Sequence, residues 1–281
     1  MAGSINFFIL ALVGLLGCHR NLPVIPFRSI LLFVMISLWA MRLGGFQFMR
    51  LWNKRRDGRF DAIRGDIKKF AGFWALQAAW IFIVSLSFTF VNAAATSSSF
   101  SPRGFGFFDL IGCLIWAFGF YFEVRADHEK YVFSLIPRNE RTLPFITTGM
   151  WSFSRHPNYF GEICLWSGFW LTAVQGIRSW SLLAALLALV SPIFTFYLLT
   201  AVSGIPVAEA HDDRRYSKLL AYQQYKVITS PLIPVSPMIY AYLHPRIKKS
   251  FFLERNTVPM PNQAPKMKAG SPVQFSTQSS R

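Results

Sequence analysis

The chain is short of acid. Against 29 Lys and Arg it carries 13 Asp and Glu, and no Glu occurs before Glu123. Tyrosine is missing from the same stretch, the first being Tyr121. Charged residues of both signs make up only 15% of the 281 residues, too few to clothe a soluble domain, while hydrophobic residues reach 53%. Cysteine is scarce too. Cys18, Cys113 and Cys164 stand alone in or beside apolar runs, which leaves no disulfide framework and no metal-ligand spacing, so they read as packing residues and no metal is expected.

What the chain has instead is long apolar sequence with 29 Phe and 9 Trp. Apolar runs lie at about 5–17, 28–48, 70–91, 105–125, 161–176 and 181–203. A bilayer-spanning helix needs ~20 such residues, and the first and fifth runs are short. The expectation is an all-α, polytopic transmembrane bundle of six to seven helices with an interfacial C-terminal helix. Residues 1–17 lack a basic leader and a small-x-small cleavage pattern, so an uncleaved first helix is expected. With six spans, 23 of the basic residues fall on one side, in the loops around 49–69 and 126–160 and in the C-terminal segment. Four fall on the other: Arg20, Arg28, Arg103 and Arg178. That asymmetry puts both termini on the cytoplasmic, or matrix-equivalent, side. The net charge of +16 follows these loops, so the lipid bilayer is the expected partner and nucleic acid is not. The transmembrane domain is taken as 1–249, and 250–281, dominated by Pro, Gln, Ser and Lys, as a disordered or docking tail.

One stretch places polar groups directly before an apolar run: Gly149-Met150-Trp151-Ser152-Phe153-Ser154-Arg155-His156-Pro157-Asn158-Tyr159-Phe160-Gly161-Glu162. Pro157 suits the first turn of a helix, where its missing N–H has no partner to lose. Asn158, Tyr159 and Glu162 then share one face near the helix N-terminus. Helix N-termini favour anions, Arg155 adds a fixed charge suited to phosphate, and Gly149 lets the backbone approach a ligand. A juxtamembrane segment of headgroup-binding Arg and His with belt-forming Trp and Tyr has the same composition. Against that reading, a Glu entering an apolar helix is costly unless it faces a partner or a cavity.

This motif, with Trp166 after it, resembles the signature of the steroid 5-alpha-reductase-like membrane proteins, in particular a branch known only as a domain of unknown function. Sterol C14/C7 reductases and isoprenylcysteine carboxyl methyltransferases carry related, looser versions. Arg42-Leu43-Gly44-Gly45-Phe46, Arg50, Arg56-Asp57, Arg59-Phe60-Asp61, Gln77 and Ser85-Leu86 extend the resemblance towards the N-terminus, and Ser203-Gly204-Ile205-Pro206, Glu209, Tyr222, Tyr225, Lys226 and Ile233-Pro234 towards the C-terminus.

The resemblance implies NADPH as cofactor, reduction of a C=C bond in a lipid, sterol or isoprenoid-like substrate, and a hydrophobic small molecule as partner. It implies phosphate contacts for Arg155, Lys226, Lys130 and Arg141. His156, Asn158 and Glu162 would sit at the nicotinamide-ribose end, and Tyr222 and Tyr225 at the adenosine end beside Glu209. Tyr159 is the candidate catalytic proton donor, because a phenol is neutral at pH 7 and can donate. The chain departs from the pattern at His128 and Glu140, where the family has Trp and Gly, and it lacks the N-terminal Glu and Tyr with which animal steroid reductases grip the steroid carbonyl. Two other functions therefore stand beside the reductase: a non-catalytic subunit of a larger membrane complex, and an S-adenosylmethionine-dependent methyltransferase. From the residues alone, Glu123, Asp127 and Tyr131 on one helix face fit either a cofactor wall or a solvated helix end. Tyr222, Tyr225 and Lys226 fit either a nucleotide cover or a helix lying on the membrane.

Overall fold

A computed structural model describes residues 2–21, 25–54, 65–97 and 104–254. Arg55, Arg56, Asp57, Arg59, Phe60, Asp61, Arg64, Arg103 and the tail from 255 onward lie outside them. The described residues form helices joined by short connections, with one isolated parallel bridge, Ser154 to Ser230. Phe27–Met49, Ile67–Ala95, Phe107–Leu135 and Leu182–Tyr216 are long and apolar enough to cross a membrane, and Gly3–Cys18 is a shorter apolar helix. The chain is an all-α, integral membrane protein. It divides into two compact units, one from the described residues of 1–117 and 164–196, the other from those of 118–163 and 197–254.

In the first unit, α1 (Ala2–Asn21), α2 (Phe27–Lys54) and α3 (Ile67–Ala95) pack together. Phe7 of α1 sits edge-on to Trp39 and Trp80, and Trp39 meets Trp166 at 4.9 Å between ring centres. Aromatic pairs at such spacings add roughly 0.5–1.5 kcal/mol each beyond their buried area. Gly44 brings α2 against Ser4 of α1, and Gln77, expected to bond another helix or a substrate, lies against Gly3. At the head of α2, Arg28 makes a two-pronged ion pair with Asp109, the first acid of α4 (Phe107–Leu135), at 2.9 and 2.8 Å. Both side chains are buried.

The run at 181–203 lies within the span Leu182–Tyr216 but is not uniformly α-helical. It breaks into α6 (Leu182–Ala188), α7 (Val190–Tyr197) and a π-turn over Leu198–Val202. The break between α6 and α7 follows from Pro192, which has no N–H to give the carbonyl four residues back. That carbonyl, Ala188 O, accepts from Ser87 Oγ of α3 instead, and Ser191 Oγ donates to Val84 O.

The second unit holds the ends of α4 and α5 (Pro157–Ile177) that face the motif, then α8 (Ile205–Tyr216), α9 (Leu220–Ile228), α10 (Pro237–Tyr242) and α11 (Pro245–Ser250). Here α5 crosses α4 at Gly161, where a Cβ would come within 2.7 Å of both Glu123 N and Gly119 O. Seven residues on, in the first unit, Gly168 is as close to Gly112 O and Trp116 N. Gly161 thus serves backbone-to-backbone packing. Gly161→Val is expected to cost about 3 kcal/mol by overpacking, read as a lower thermal midpoint in detergent, with Gly161→Ala intermediate. The domain boundary expected at 249 falls inside α11, and Glu254 beyond it is buried.

Candidate functional site

The motif is shaped by four attachments. Gly149 opens a 3-10 turn with φ +62°, a left-handed conformation, and a Cβ there would collide with the Glu129 carboxylate. The positive φ favours glycine here, and the space a side chain would take is filled by the Glu129 carboxylate, which accepts from Met150 N at 2.8 Å. Trp151 Nε1 donates to Ala126 O, and Tyr225 OH donates to Trp151 O at 2.6 Å. Ser154 and Arg155 are tied to the segment after α9: Arg155 N donates to Ser230 O, Val235 N to Phe153 O, and Ser154 Oγ to Leu232 O. Asn158 Nδ2 reaches Asp127 Oδ1 of α4 at 3.2 Å, which ties the first turn of α5 to the carboxyl-bearing face of α4.

Arg155 is the hub. Its Nε donates to Glu209 Oε1 at 2.7 Å, its Nη2 to Glu254 Oε1 at 2.9 Å, and its Nη1 to the carbonyls of Lys226 and Thr229. Glu254 also accepts from Tyr240 OH at 2.9 Å. Burial weakens the Arg155 charge, but the two carboxylates outweigh it and hold the guanidinium pKa above its ordinary value. Lys226 is spoken for in the same way, at 2.8 Å from Asp213 Oδ1 and 3.2 Å from Glu209 Oε2. Two of the four cations expected to meet phosphate, Arg155 and Lys226, are turned to carboxylates of the chain itself, because a buried charge without a partner is far costlier than a paired one.

His156 is buried, with its Nε2 3.5 Å from Glu209 Oε1 and its ring stacked on Tyr159 at 5.2 Å and 7°. Burial lowers its pKa; Glu209 opposes this, and Arg155 and Lys130 reinforce it. The imidazole is neutral at pH 7. In the unfolded chain it takes a proton below about 6.5. Its folded pKa is depressed, so stability from this group is present above about pH 6.5 and is lost as pH falls below it. Thermal midpoints measured from pH 8 to pH 5 should fall at the acid end, and less steeply for His156→Gln.

Tyr159 precedes the apolar span, and its hydroxyl makes no hydrogen bond among the described residues. Burial first, then the carboxylates of Glu162, Asp127 and Asp212, push its phenol up to about 12.

Beside these groups lies a cavity of about 180 Å³. Lys130, Arg141, Arg155, His156, Glu209, Tyr222 and Tyr225 line it, whereas Tyr159, Asn158, Glu162 and Lys226 do not. Lys130 Nζ lies 4.4 Å over the Trp151 ring, and Phe145 touches Tyr216, Tyr222 and Tyr225 at 5.2–5.8 Å. Nearly all of α9 is buried, including Tyr222, Tyr225 and Lys226, as in a packed helix and unlike one lying on a bilayer.

Residues 1–229 match the model of a family described as "Protein of unknown function (DUF1295)". The chain belongs to that family. No curated protein and no solved structure matches it. The DUF1295 match contains the motif and every residue lining the cavity, but stops before α10, α11 and Glu254. The counter-ion that completes the Arg155 hub therefore comes from outside the matched segment. Nothing in the local sequence marks Glu254, a lone acid after Lys248 and Lys249. Asp213 was similarly hidden beside the basic pair Arg214-Arg215, although its spacing before Lys226 gave no helical face to read. Phe145 and Tyr216 were missed because single aromatics are unremarkable in a chain with so many.

Proposed function

We propose that this DUF1295 protein is a membrane-embedded reductase that uses NADPH to saturate a C=C bond in a lipid, sterol or isoprenoid-like molecule, with the motif on the cytoplasmic, or matrix-equivalent, side. The observation that carries this reading is the cavity, where an aromatic slot and two cations adjoin a neutral His156 and, behind it, an un-ionised phenol. The residues fit a phosphorylated, ring-bearing cofactor with one revision: Arg141 at the cavity wall is the group to meet phosphate, since Arg155 and Lys226 are committed elsewhere.

When bound, NADPH supplies a hydride. Phe145, Tyr216 and Tyr222 would hold the adenine by stacking. Arg155 would keep the turn at 153–155 in place through Glu209 and Glu254 and so fix where His156 stands. His156, uncharged, would orient Tyr159 through their stacked rings, and Tyr159 would give a proton to the reduced carbon skeleton. The purified protein in mild detergent should show saturable NADPH binding by energy transfer from tryptophan to nicotinamide. Intact protein that gives no such signal, or that binds S-adenosylmethionine in its place, overturns the proposal.

A second reading, a reductase-like subunit without catalysis, draws on the hub itself. The polar residues of the motif are here held by folding demands, which a structural subunit would share. Gentle isolation from the native membrane separates the two, because stoichiometric partners without bound dinucleotide would favour the subunit.

A further inference from the structure

The cavity opens beside a basin lined by Arg138, Arg141 and Arg215, and the two share Arg141, Pro144 and Tyr216. None of the three guanidinium groups forms an ion pair with a described residue, in contrast to the deeper cations, Arg155 and Lys226, each neutralised by carboxylates. Arg141 is also held still. Its Nε donates to Ile136 O at 2.9 Å, its Nη2 to Ser134 O at 3.0 Å, and its guanidinium covers the Phe133 ring at 4.8 Å. That leaves Nη1 without a described partner on a group whose orientation is already fixed. Tyr216, the shared wall, is fixed too: its hydroxyl donates to Pro144 O, and its ring lies 5.4 Å from Phe145 and 5.8 Å from Tyr222. The exposed Glu140 beside Arg141 is the one opposing charge in that turn, and it pairs with none of the three.

We propose that Arg138, Arg141 and Arg215 form a subsite for a phosphomonoester carried on the ring-bearing end of the ligand whose aromatic part lies against Tyr216 and Tyr222. The inference rests on the dinucleotide reading above and adds to it a basis for choosing the 2′-phosphorylated cofactor. A phosphomonoester presents three strong acceptors and close to two negative charges, and planar guanidinium forks match it better than ammonium groups do. A carboxylate or a phosphodiester would leave donors of such a trio idle. Placement at the rim also suits the chemistry, since the dianion keeps part of its hydration there while the apolar ring enters the slot.

The test uses the full-length chain in mild detergent and compares adenosine 2′,5′-bisphosphate with 5′-AMP by calorimetry. Two extra charge-assisted contacts are expected to make the bisphosphate bind at least about tenfold tighter. The double variant Arg138→Ala/Arg215→Ala should lose that preference while its affinity for 5′-AMP changes less than about twofold. Both positions are exposed and bond nothing described, so the variant is expected to fold, which its unchanged thermal midpoint would verify. Arg141, tied to two carbonyls, is left intact. Equal binding of the two nucleotides by the unaltered chain overturns the subsite and leaves the dinucleotide reading standing; binding of neither overturns both. If the variant keeps the preference but loses retention by phosphatidate-containing bicelles, the arginines serve a lipid headgroup and the proposal falls. Inorganic phosphate that binds as tightly as the bisphosphate assigns the trio to free phosphate, with the same consequence.

Discussion

Replacing Arg155 with Met is expected to destabilise the protein by about 3–5 kcal/mol, the usual cost of removing one partner from a buried ionic cluster. The reason is what the substitution leaves behind. Glu209 and Glu254 would face each other without the cation between them, and the carbonyls of Lys226 and Thr229 would lose their donor. Lys226 would still neutralise Glu209, but Glu254, though still bonded by Tyr240 OH, would lose the cation it is paired with. In a domain of this size the loss corresponds to a thermal midpoint roughly 10 °C lower. Tryptophan-fluorescence melts in detergent measure it. Adding Glu254→Gln to Arg155→Met should recover part of the loss by removing the stranded charge, whereas Glu254→Gln alone should cost less than Arg155→Met. An Arg155→Met protein as stable as the parent would mean the cluster does not exist, and with it would go the account of how the 153–155 turn is held.

The second large effect concerns chemistry. Tyr159→Phe should lower turnover by about 10²–10⁴-fold, the range by which a positioned proton donor accelerates a reaction. NADPH affinity should stay within about twofold, because Tyr159 does not line the cavity. Stability should be nearly unchanged, since the hydroxyl makes no hydrogen bond among the described residues and the ring that stacks on His156 remains. The assay follows NADPH consumption by the purified chain supplied with lipid extracted from its native membrane. Because burial and three carboxylates hold the phenol un-ionised up to about 12, the rate it supports should not fall between pH 7 and pH 9 through loss of its proton. A Tyr159→Phe chain that consumes NADPH at the parent rate removes Tyr159 from the reaction.

The helices were legible because their causes are local. Apolar runs foretold α1 to α5, although the first and fifth runs are shorter than the helices they belong to, and Pro157 foretold where α5 begins. The break at Pro192 was just as local, but the apolar composition of 181–203 concealed it. Glycines carried an ambiguous signal. Gly149 and Gly161 stood out as special, yet a glycine records only that something comes close; the structure identifies Glu129 at one and the α4 backbone at the other.

The site divides along the same line. Seven of the residues expected to touch a cofactor do share one cavity, since each lies in a stretch whose residue types are unusual for an apolar chain. The fate of their charges was not readable. Arg155 looked like a phosphate ligand because in sequence its neighbours are aromatic and polar, while its carboxylate partners are 54 and 99 residues away.

The sequence by itself determined that this is a helical membrane protein and which stretch carries its polar chemistry, because bilayer thickness and residue polarity act on short windows of chain. Only the tertiary structure decided which cations are spent on the fold and which stand open at the cavity mouth. Ion pairing depends on distance in space, and here the distances were set by how α8, α9 and the segment ending at Glu254 close over the motif.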